Sequence, residues 1–435
     1  MNERDAGGEE PSVRAGILVT GTEVITARIA DRNGPWISQR LGELGLEVAH
    51  ILVVADRPAD LAAGLRFLAE ERCELIVTSG GLGPTADDLT AEVVAGFAGR
   101  EIVVDERMEA RIADIVAGFA RRLRFDPEAM RAGTRKQALV PAGATTIDPA
   151  GTAPGLVVAI AEGPTVVVMP GPPRELHAMW PQAVATDEFQ SILARTQPYR
   201  TRTLRLFGIP ESEIAKTLRE IGTEVDLEAL EVTTCLRRGE VEVEVRHRPG
   251  LEAACERLAE GIAERHRPFL FSADGSTIDD QLAELLGGRR IALAESSTGG
   301  LMAARLTDLP GASDYLAGAV VAYSNRSKVE LLGVDPALID RHGAVSPEVA
   351  AALAAGALER FDADVACSIT GIAGPGGGTK DKPVGYVCIC ALAATGESLA
   401  RDPVIPGDRA EVRERTTTVA MHILRRLLRG EELPR

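Results

Sequence analysis

At 435 residues the chain exceeds what one hydrophobic core holds, which predicts two or three domains. Hydrophobic residues make up 45% and charged residues 26%, the balance of a soluble globular protein, while aromatics at 3% leave the cores to Ala, Val, Leu and Ile. The formal net charge of −16 repels phosphate backbones at long range and argues against nucleic acid as a partner, although N–H groups at helix starts still bind small anions locally.

A first segment, Val13 to Val184, alternates short apolar strands with helical stretches: Gly16 to Thr20, Trp36 to Leu44, Val48 to Val54, Leu61 to Ala69 and Leu75 to Thr78. A helix is expected to begin near Ala86, and a later strand, Thr165 to Met169, runs into the turn Pro170-Gly-Pro-Pro. This rhythm predicts an open, mostly parallel α/β sheet. The second segment, roughly Thr201 to Asp274, predicts a strand at Thr203 to Phe207, a helix at Glu211 to Glu220, and two strands near Glu231 and at Glu240-Val-Glu-Val-Glu-Val. A helix at Leu251 to Arg265 and a short strand at Pro268 to Phe271 close this small α+β module. Its Val/Glu alternation predicts one buried and one solvated face. In the third segment, helices are expected at Asp279 to Leu286 and Arg409 to Leu428. Strands are expected at Arg290 to Ala294, Ala317 to Tyr323, Ala363 to Ile369 and Gly385 to Leu392.

The cysteines show no CxxC spacing and most lie in apolar runs, which predicts reduced, buried thiols. The histidines are scattered without an HExxH pair, so no zinc site is expected. No apolar run has the form of a signal peptide or the length of a membrane span, which predicts a cytoplasmic protein with no membrane partner.

Chemistry-bearing residues concentrate in the third segment. In Glu295-Ser-Ser-Thr-Gly-Gly a strand turns sharply into a helix, which exposes Ser296 at the carboxyl edge of a sheet beside unpaired N–H groups. Those N–H groups, around Ser297, Thr298, Gly299 and Gly300, can stabilise an oxyanion on an attacked amide carbonyl. Val320-Val-Ala-Tyr-Ser-Asn-Arg-Ser-Lys is a second junction of the same kind, with Tyr323 at the strand end and Lys328 in the first turns of a helix. A neutral lysine deprotonates a serine only if its pKa falls from about 10.4 towards 7–8, a shift worth about 4 kcal/mol that requires burial or a neighbouring cation. A third block, Thr370-Gly-Ile-Ala-Gly-Pro-Gly-Gly-Gly-Thr-Lys, is a glycine-rich loop without a Walker A ending. His342 leaves a Ser–His pair as an alternative. Each block also has a plainer reading, as a capping serine, a solvated lysine and a flexible turn.

In the first segment, Thr78-Ser-Gly-Gly-Leu-Gly-Pro-Thr-Ala-Asp-Asp-Leu-Thr follows a strand and opens a helix. Gly80, Gly81, Gly83 and Thr85 place several N–H groups where a phosphate can bind. Asp87 and Asp88 oppose an anion unless a divalent cation bridges carboxylate and phosphate, and they otherwise serve only the helix macrodipole.

Ala294-Glu-Ser-Ser-Thr-Gly-Gly, Val321 to Lys328 with Leu331-Leu-Gly-Val, His342-Gly-Ala-Val-Ser, and Thr370-Gly-Ile-Ala-Gly-Pro with Lys382-Pro-Val-Gly resemble, in order, the nicotinamide-nucleotide amidohydrolase family. The resemblance implies hydrolysis of the carboxamide of nicotinamide mononucleotide to nicotinate mononucleotide and ammonia, without a cofactor. It carries the nucleophile, lysine and tyrosine over onto Ser296, Lys328 and Tyr323, with Ser297 standing where the family usually has cysteine. Asn325, Gly371 and Gly374 then become candidates for holding the ribose phosphate.

Gly21-Thr-Glu-Val, Asp31-Arg-Asn, the Thr78 loop, Arg135-Lys-Gln-Ala and Met169-Pro-Gly-Pro-Pro-Arg-Glu resemble the molybdopterin-binding-like domain of the competence/damage-inducible protein A (CinA) family. That resemblance implies a metal-dependent ADP-ribose pyrophosphatase, with Mg, Mn or Co at Asp87 and Asp88, and with Asn33 and the glycine loop on the substrate. Ile25-Thr-Ala27 and Asp31-Arg-Asn depart from the family's usual continuation and its Asp-Thr-Asn. The whole pattern implies an α/β chain with a tail at 1–12, a molybdopterin-binding-like domain at 13–185, a KH-like α+β linker at 186–275 and an amidase at 276–435. It implies a homodimer acting on small nucleotides. The alternative is a first half that binds molybdopterin or is purely structural.

Overall fold

In the computed structural model, which describes residues 13–120 and 127–433, the apolar runs of the first segment pair into one sheet. The tail expected at residues 1–12 lies outside the described residues. The sheet has six strands in the order Glu47–Val54, Arg14–Thr20, Leu75–Ser79, Thr165–Met169, Gly155–Val158, Thr145–Ile147. The first four run parallel, Gly155–Val158 is antiparallel to Thr165–Met169, and Thr145–Ile147 is antiparallel to Gly155–Val158. Leu75–Ser79 and Thr165–Met169 are buried on both faces, and so read as unbroken apolar runs rather than alternating ones. Ile17, Val19, Val77 and Val167 pack one face against the helices Asn33–Glu43 and Pro173–Val184. Leu18, Ile76, Val166 and Val168 pack the other against Pro58–Glu70.

The helix expected near Ala86 instead begins at Thr90. Thr85 donates its backbone N–H to Asp88 at 2.9 Å and its hydroxyl to both aspartates, so residues 85–88 close a turn on themselves before the helix starts.

By packing, the chain forms two compact units, one running to Arg200 with Arg248–Gly250 and the other holding Thr201–His247 and the residues from Leu251. The second unit contains a four-stranded sheet, ordered Glu231–Arg237, Glu240–His247, Arg200–Phe207, Leu270–Ser272. Val241, Val243 and Val245 fill its core as the alternation predicts. Glu240 departs from that pattern. It is 5% exposed and hydrogen-bonded at 2.7 Å to His422 of the last helix, Arg409–Arg429, which covers the strand and takes the place of water. His422 also stacks on Phe207, with ring centroids 3.8 Å apart.

A five-stranded sheet follows, ordered Leu316–Val321, Ile291–Glu295, Val365–Gly371, Val387–Ala393, Ser398–Arg401. Its first three strands are parallel and its last two antiparallel to their neighbours. Leu293, Cys367 and Ile389 face the last helix, while Ala294, Ala366 and Cys390 face the helix Pro347–Phe361. The strand expected to reach Tyr323 ends at Val321, which leaves Tyr323 in the following turn. The carboxyl ends of the parallel strands therefore lie side by side and release the Ser296, Tyr323 and Thr370 blocks at one sheet edge, as an open α/β sheet does.

Candidate functional site

Ser296 is the first residue beyond its strand, yet its N–H still donates to the Ile369 carbonyl at 2.9 Å. The residue is thereby tied to the central strand of the sheet, and it is 8% exposed. Lys328 arrives from the second junction. Ser324 caps the helix Asn325–Leu332 through a reciprocal bond pair with Ser327, which fixes the turn carrying Lys328 inward. Lys328 is 2% exposed, and its Nζ lies 3.1 Å from Ser296 Oγ, 2.9 Å from the Ala322 carbonyl and 3.5 Å from the Tyr323 carbonyl.

Among the described residues no carboxylate forms an ion pair with Lys328, and burial holds its ammonium below the usual lysine value. The partner set fits the neutral amine. Nζ is placed to donate to the two carbonyls, and its contact with Ser296 Oγ serves either as a third N–H bond of the ammonium or, in the neutral amine, as the place where the lone pair faces the serine hydroxyl. A lysine kept solvated on a helix face, the plainer expectation, is not what the fold produces.

The loop after Ser296 is organised by a side chain that the sequence left unassigned. Glu295 is 1% exposed and accepts from Thr298 Oγ1 at 2.7 Å and from the N–H groups of Gly300, Met302 and Ala303 at 3.0, 3.2 and 2.9 Å. The Gly299 N–H donates to the Ser296 carbonyl at 3.1 Å. The oxyanion donors expected across Ser297–Gly300 therefore narrow to the N–H groups of Ser297 and Thr298, which have no acceptor among the described residues. Gly299 and Gly300 serve instead through their left-handed backbone, with φ of 63° and 94°.

Tyr323 is 59% exposed, and its hydroxyl accepts from Arg409 Nη2 at 2.9 Å rather than from Ser296. Arg409 also donates to the Gly374 carbonyl at 2.7 Å, tying the tyrosine to the glycine-rich loop. Arg413, one turn further along the same helix, donates to the Ser297 and Thr298 carbonyls at 3.2 and 2.8 Å. Neither arginine was distinguishable in sequence from the polar face of an amphipathic helix, because each acts on residues far away along the chain. Asn325 is exposed at the start of its helix, and Gly371 lies where a Cβ would come within 3.0 Å of Ser297 Oγ. The Ser297 hydroxyl is buried without a hydrogen-bond partner among the described residues. His342 does not join Ser296, since its Nδ1 lies 3.4 Å from Glu348.

The first unit holds a cavity of about 710 Å³ at the carboxyl ends of its parallel strands. Glu23, Asp31, Asp56, Asp87, Asp88 and Glu175 line it, with Arg32 as the basic group. Burial raises the Glu175 carboxyl above the usual range, and the Thr85 hydroxyl holds that of Asp87 below it. Gly80 (φ 111°) has no room for a side chain, since a Cβ would sit 2.3 Å from the Thr20 carbonyl. Its N–H already donates to the Met169 carbonyl at 3.0 Å, so it is not a phosphate donor as expected. The N–H groups of Gly81, Leu82 and Gly83 have no acceptor among the described residues, and that of Thr85 is taken by Asp88. Asn33, 6% exposed, donates to Ser79 Oγ at 2.8 Å and the Gly171 carbonyl at 2.7 Å, while its Oδ1 is buried without a partner.

Among the described residues no group of three or more His, Cys, Asp or Glu side chains gathers to hold a metal. The aspartate pair does fit a hard cation that takes the rest of its oxygen shell from water and phosphate. No helix among the described residues is long and apolar enough to cross a membrane.

Comparison with known proteins bears on both units. Residues 16–188 match the family profile described as a probable molybdopterin binding domain, and residues 276–428 match the CinA C-terminal domain. A CinA-like protein of Mycolicibacterium vanbaalenii is 58% identical over 96% of this chain and 99% of its own. One from Mycobacterium tuberculosis is 55% identical over 96% of this chain and 98% of its own. The crystal structure of the competence/damage inducible protein CihA from Agrobacterium tumefaciens aligns with 34% of this chain and 94% of its own at 36% identity, with a TM-score of 0.34.

Proposed function

This chain belongs to the family of CinA-like proteins, and on that premise we propose that its second unit is an amidohydrolase that deamidates nicotinamide mononucleotide. The observation that carries the reading is the buried Lys328 amine, whose partners are two carbonyls and the Ser296 hydroxyl. Ser296 Oγ attacks the carboxamide carbon as its proton passes to Lys328 Nζ. The N–H groups of Ser297 and Thr298 receive the negative charge that develops on the carbonyl oxygen. The proton taken up by Lys328 then passes to the departing nitrogen, with the Tyr323 hydroxyl, held by Arg409, as the candidate relay, so that ammonia leaves and the lysine returns to its neutral form. Water releases nicotinate mononucleotide from the acyl-serine by the reverse use of Lys328. The loop from Gly371 to Gly378 with Asn325 is the proposed ribose phosphate site.

The test incubates the full chain with nicotinamide mononucleotide and follows ammonia. Wild type and Ser297→Ala should release it and Ser296→Ala should not. Full activity in Ser296→Ala, or loss confined to Ser297→Ala, overturns the assignment.

For the first unit the acidic cavity with its glycine loop supports an ADP-ribose pyrophosphatase. Asp87 and Asp88 would hold a divalent cation, and the N–H groups of Gly81 to Gly83 would hold the pyrophosphate. When bound, the cation neutralises charge on the phosphates. Asn33 Oδ1 is an acceptor suited to a hydroxyl of the substrate. A cavity that binds molybdopterin without turnover is the competing reading, and release of AMP from ADP-ribose decides between them.

A further inference from the structure

The peptide that must receive the oxyanion is held from two sides, and the holding groups are charged. Three helix-start N–H groups and the Thr298 hydroxyl converge on the Glu295 carboxylate, which supplies the cap that Gly300, at the N-cap position, lacks. Residues 296–300 are thereby wrapped around a buried anion. On the other side the Arg413 guanidinium binds the Ser297 and Thr298 carbonyls.

In a planar trans peptide the C=O and N–H point in opposite directions. The Ser297 carbonyl is turned to Arg413, so the Thr298 N–H of the same peptide is turned away from it. The Ser296 carbonyl accepts from Gly299, so the Ser297 N–H likewise points away from that internal bond. Both N–H groups left without an acceptor are thus aimed by bonds made at the far ends of their own peptides.

Resting on the amidohydrolase reading, we infer that Glu295 and Arg413 are positioning residues that fix the oxyanion site of Ser296 by clamping the loop 297–300, Glu295 through the Thr298 hydroxyl and the helix-start N–H groups and Arg413 through the Ser297 and Thr298 carbonyls. Glu295 also occupies the start of the helix Leu301–Thr307, which keeps those N–H groups from competing for the substrate's phosphate or carbonyl. A helix cap alone would affect stability. An aimed oxyanion site affects the transition state and leaves ground-state binding nearly untouched.

Glu295→Gln keeps the shape but puts an amide N–H against backbone donors, whereas Glu295→Asp keeps the charge on a shorter stem. Arg413→Lys loses the two-pronged grip from a half-buried position and carries the test if Glu295→Gln does not fold. Two readouts are taken on the full chain: steady-state ammonia release from nicotinamide mononucleotide, and the rate at which a fluorophosphonate labels Ser296, located by mass spectrometry. Glu295→Gln and Arg413→Lys should each lower kcat about 100-fold with KM held within about threefold, and slow labelling in parallel. Glu295→Asp should recover at least about tenfold of the lost kcat. Wild type that labels at Ser296 but releases no ammonia removes the substrate assignment alone, and the labelling rates still decide the clamp. Unchanged kcat and labelling in a folded Glu295→Gln or Arg413→Lys, or a rise in KM alone, overturns the clamp. A wild-type Ser296 that takes no label overturns both.

Discussion

The two candidate sites sit at the same place in two α/β sheets, beyond the carboxyl ends of parallel strands, yet they are built in opposite ways. Around Ser296 the serine, the lysine and the loop backbone are held by partners inside the protein, and what stays open among the described residues is the Ser297 hydroxyl with the N–H groups of Ser297 and Thr298. The serine is tied to Ile369, the lysine to Ala322 and Tyr323, the loop to Glu295 and Arg413. The cavity of the first unit is left incomplete. Its carboxylates outnumber Arg32, its Asn33 Oδ1 has no donor, and its Gly81–Gly83 N–H groups have no acceptor. The first arrangement suits chemistry done by protein groups alone. The second suits a ligand, and a cation arriving with it, that supplies the missing partners.

The largest effects should break the self-sufficient site. Ser296→Ala and Lys328→Ala should each lower ammonia release by on the order of 10³-fold or more, with the double variant little worse, since the two act as one unit. Multiplicative losses in the double variant would mean that the lysine serves some step other than activating the serine.

Next in size is Asp88→Ala in the first unit, which should bring ADP-ribose turnover to background while the melting temperature moves little. Asp88 holds only the local turn with Thr85, and its loss leaves no core cavity. Excess chelator should silence the wild type in the same assay and leave ammonia release from nicotinamide mononucleotide untouched. Loss of both activities would erase the contrast drawn between the sites.

A pH series sharpens it further. The proposed deamidation uses neutral Lys328 as the base, so log kcat should rise with a slope near one as pH increases towards the lowered lysine pKa, then level off. The same shift costs stability. A lysine whose folded pKa lies below its unfolded value disfavours folding below the folded pKa, and this penalty fades as pH rises towards the unfolded value of about 10.4. Lys328→Met, of similar volume and without charge, should therefore be more stable than wild type at neutral pH and lose that advantage in alkali, as read by urea midpoints. An advantage that persists above the unfolded lysine value belongs to packing and not to the charge.

The smallest expected effect lies away from both sites. Burial outweighs the Glu240 hydrogen bond and keeps His422 neutral, with its pKa below the usual value. The neutral ring is favoured in the fold, so stability should fall as pH drops below about 6.5, the unfolded histidine value. His422→Ala should cost about 3 kcal/mol at neutral pH, because it leaves the Glu240 carboxylate buried and unpaired. A denaturant midpoint that stays put on acidification would show that the fold does not hold His422 neutral.

Much of this molecule was legible in one dimension. Short apolar runs such as Leu75–Ser79 announced strands, the Val/Glu alternation announced a half-covered sheet, the Ser296 and Lys328 blocks each stood at a strand-to-helix junction, and the Thr370 block followed a strand. Those are local facts, fixed by side-chain periodicity and turn chemistry within a few residues. The neighbourhood of each charge was decided only when distant segments met. Lys328 became a buried amine because the sheet order sets Leu316–Val321 beside Ile291–Glu295, and Glu240 became a buried partner because the last helix covers its strand. Arg409 found Tyr323, and Arg413 found Ser297 and Thr298, more than eighty residues away along the chain. Periodicity specifies which face of an element is apolar, but a charge takes its meaning from what tertiary packing removes from water around it, and in this chain that packing brought Glu295, Lys328 and Arg413 around the Ser296 loop.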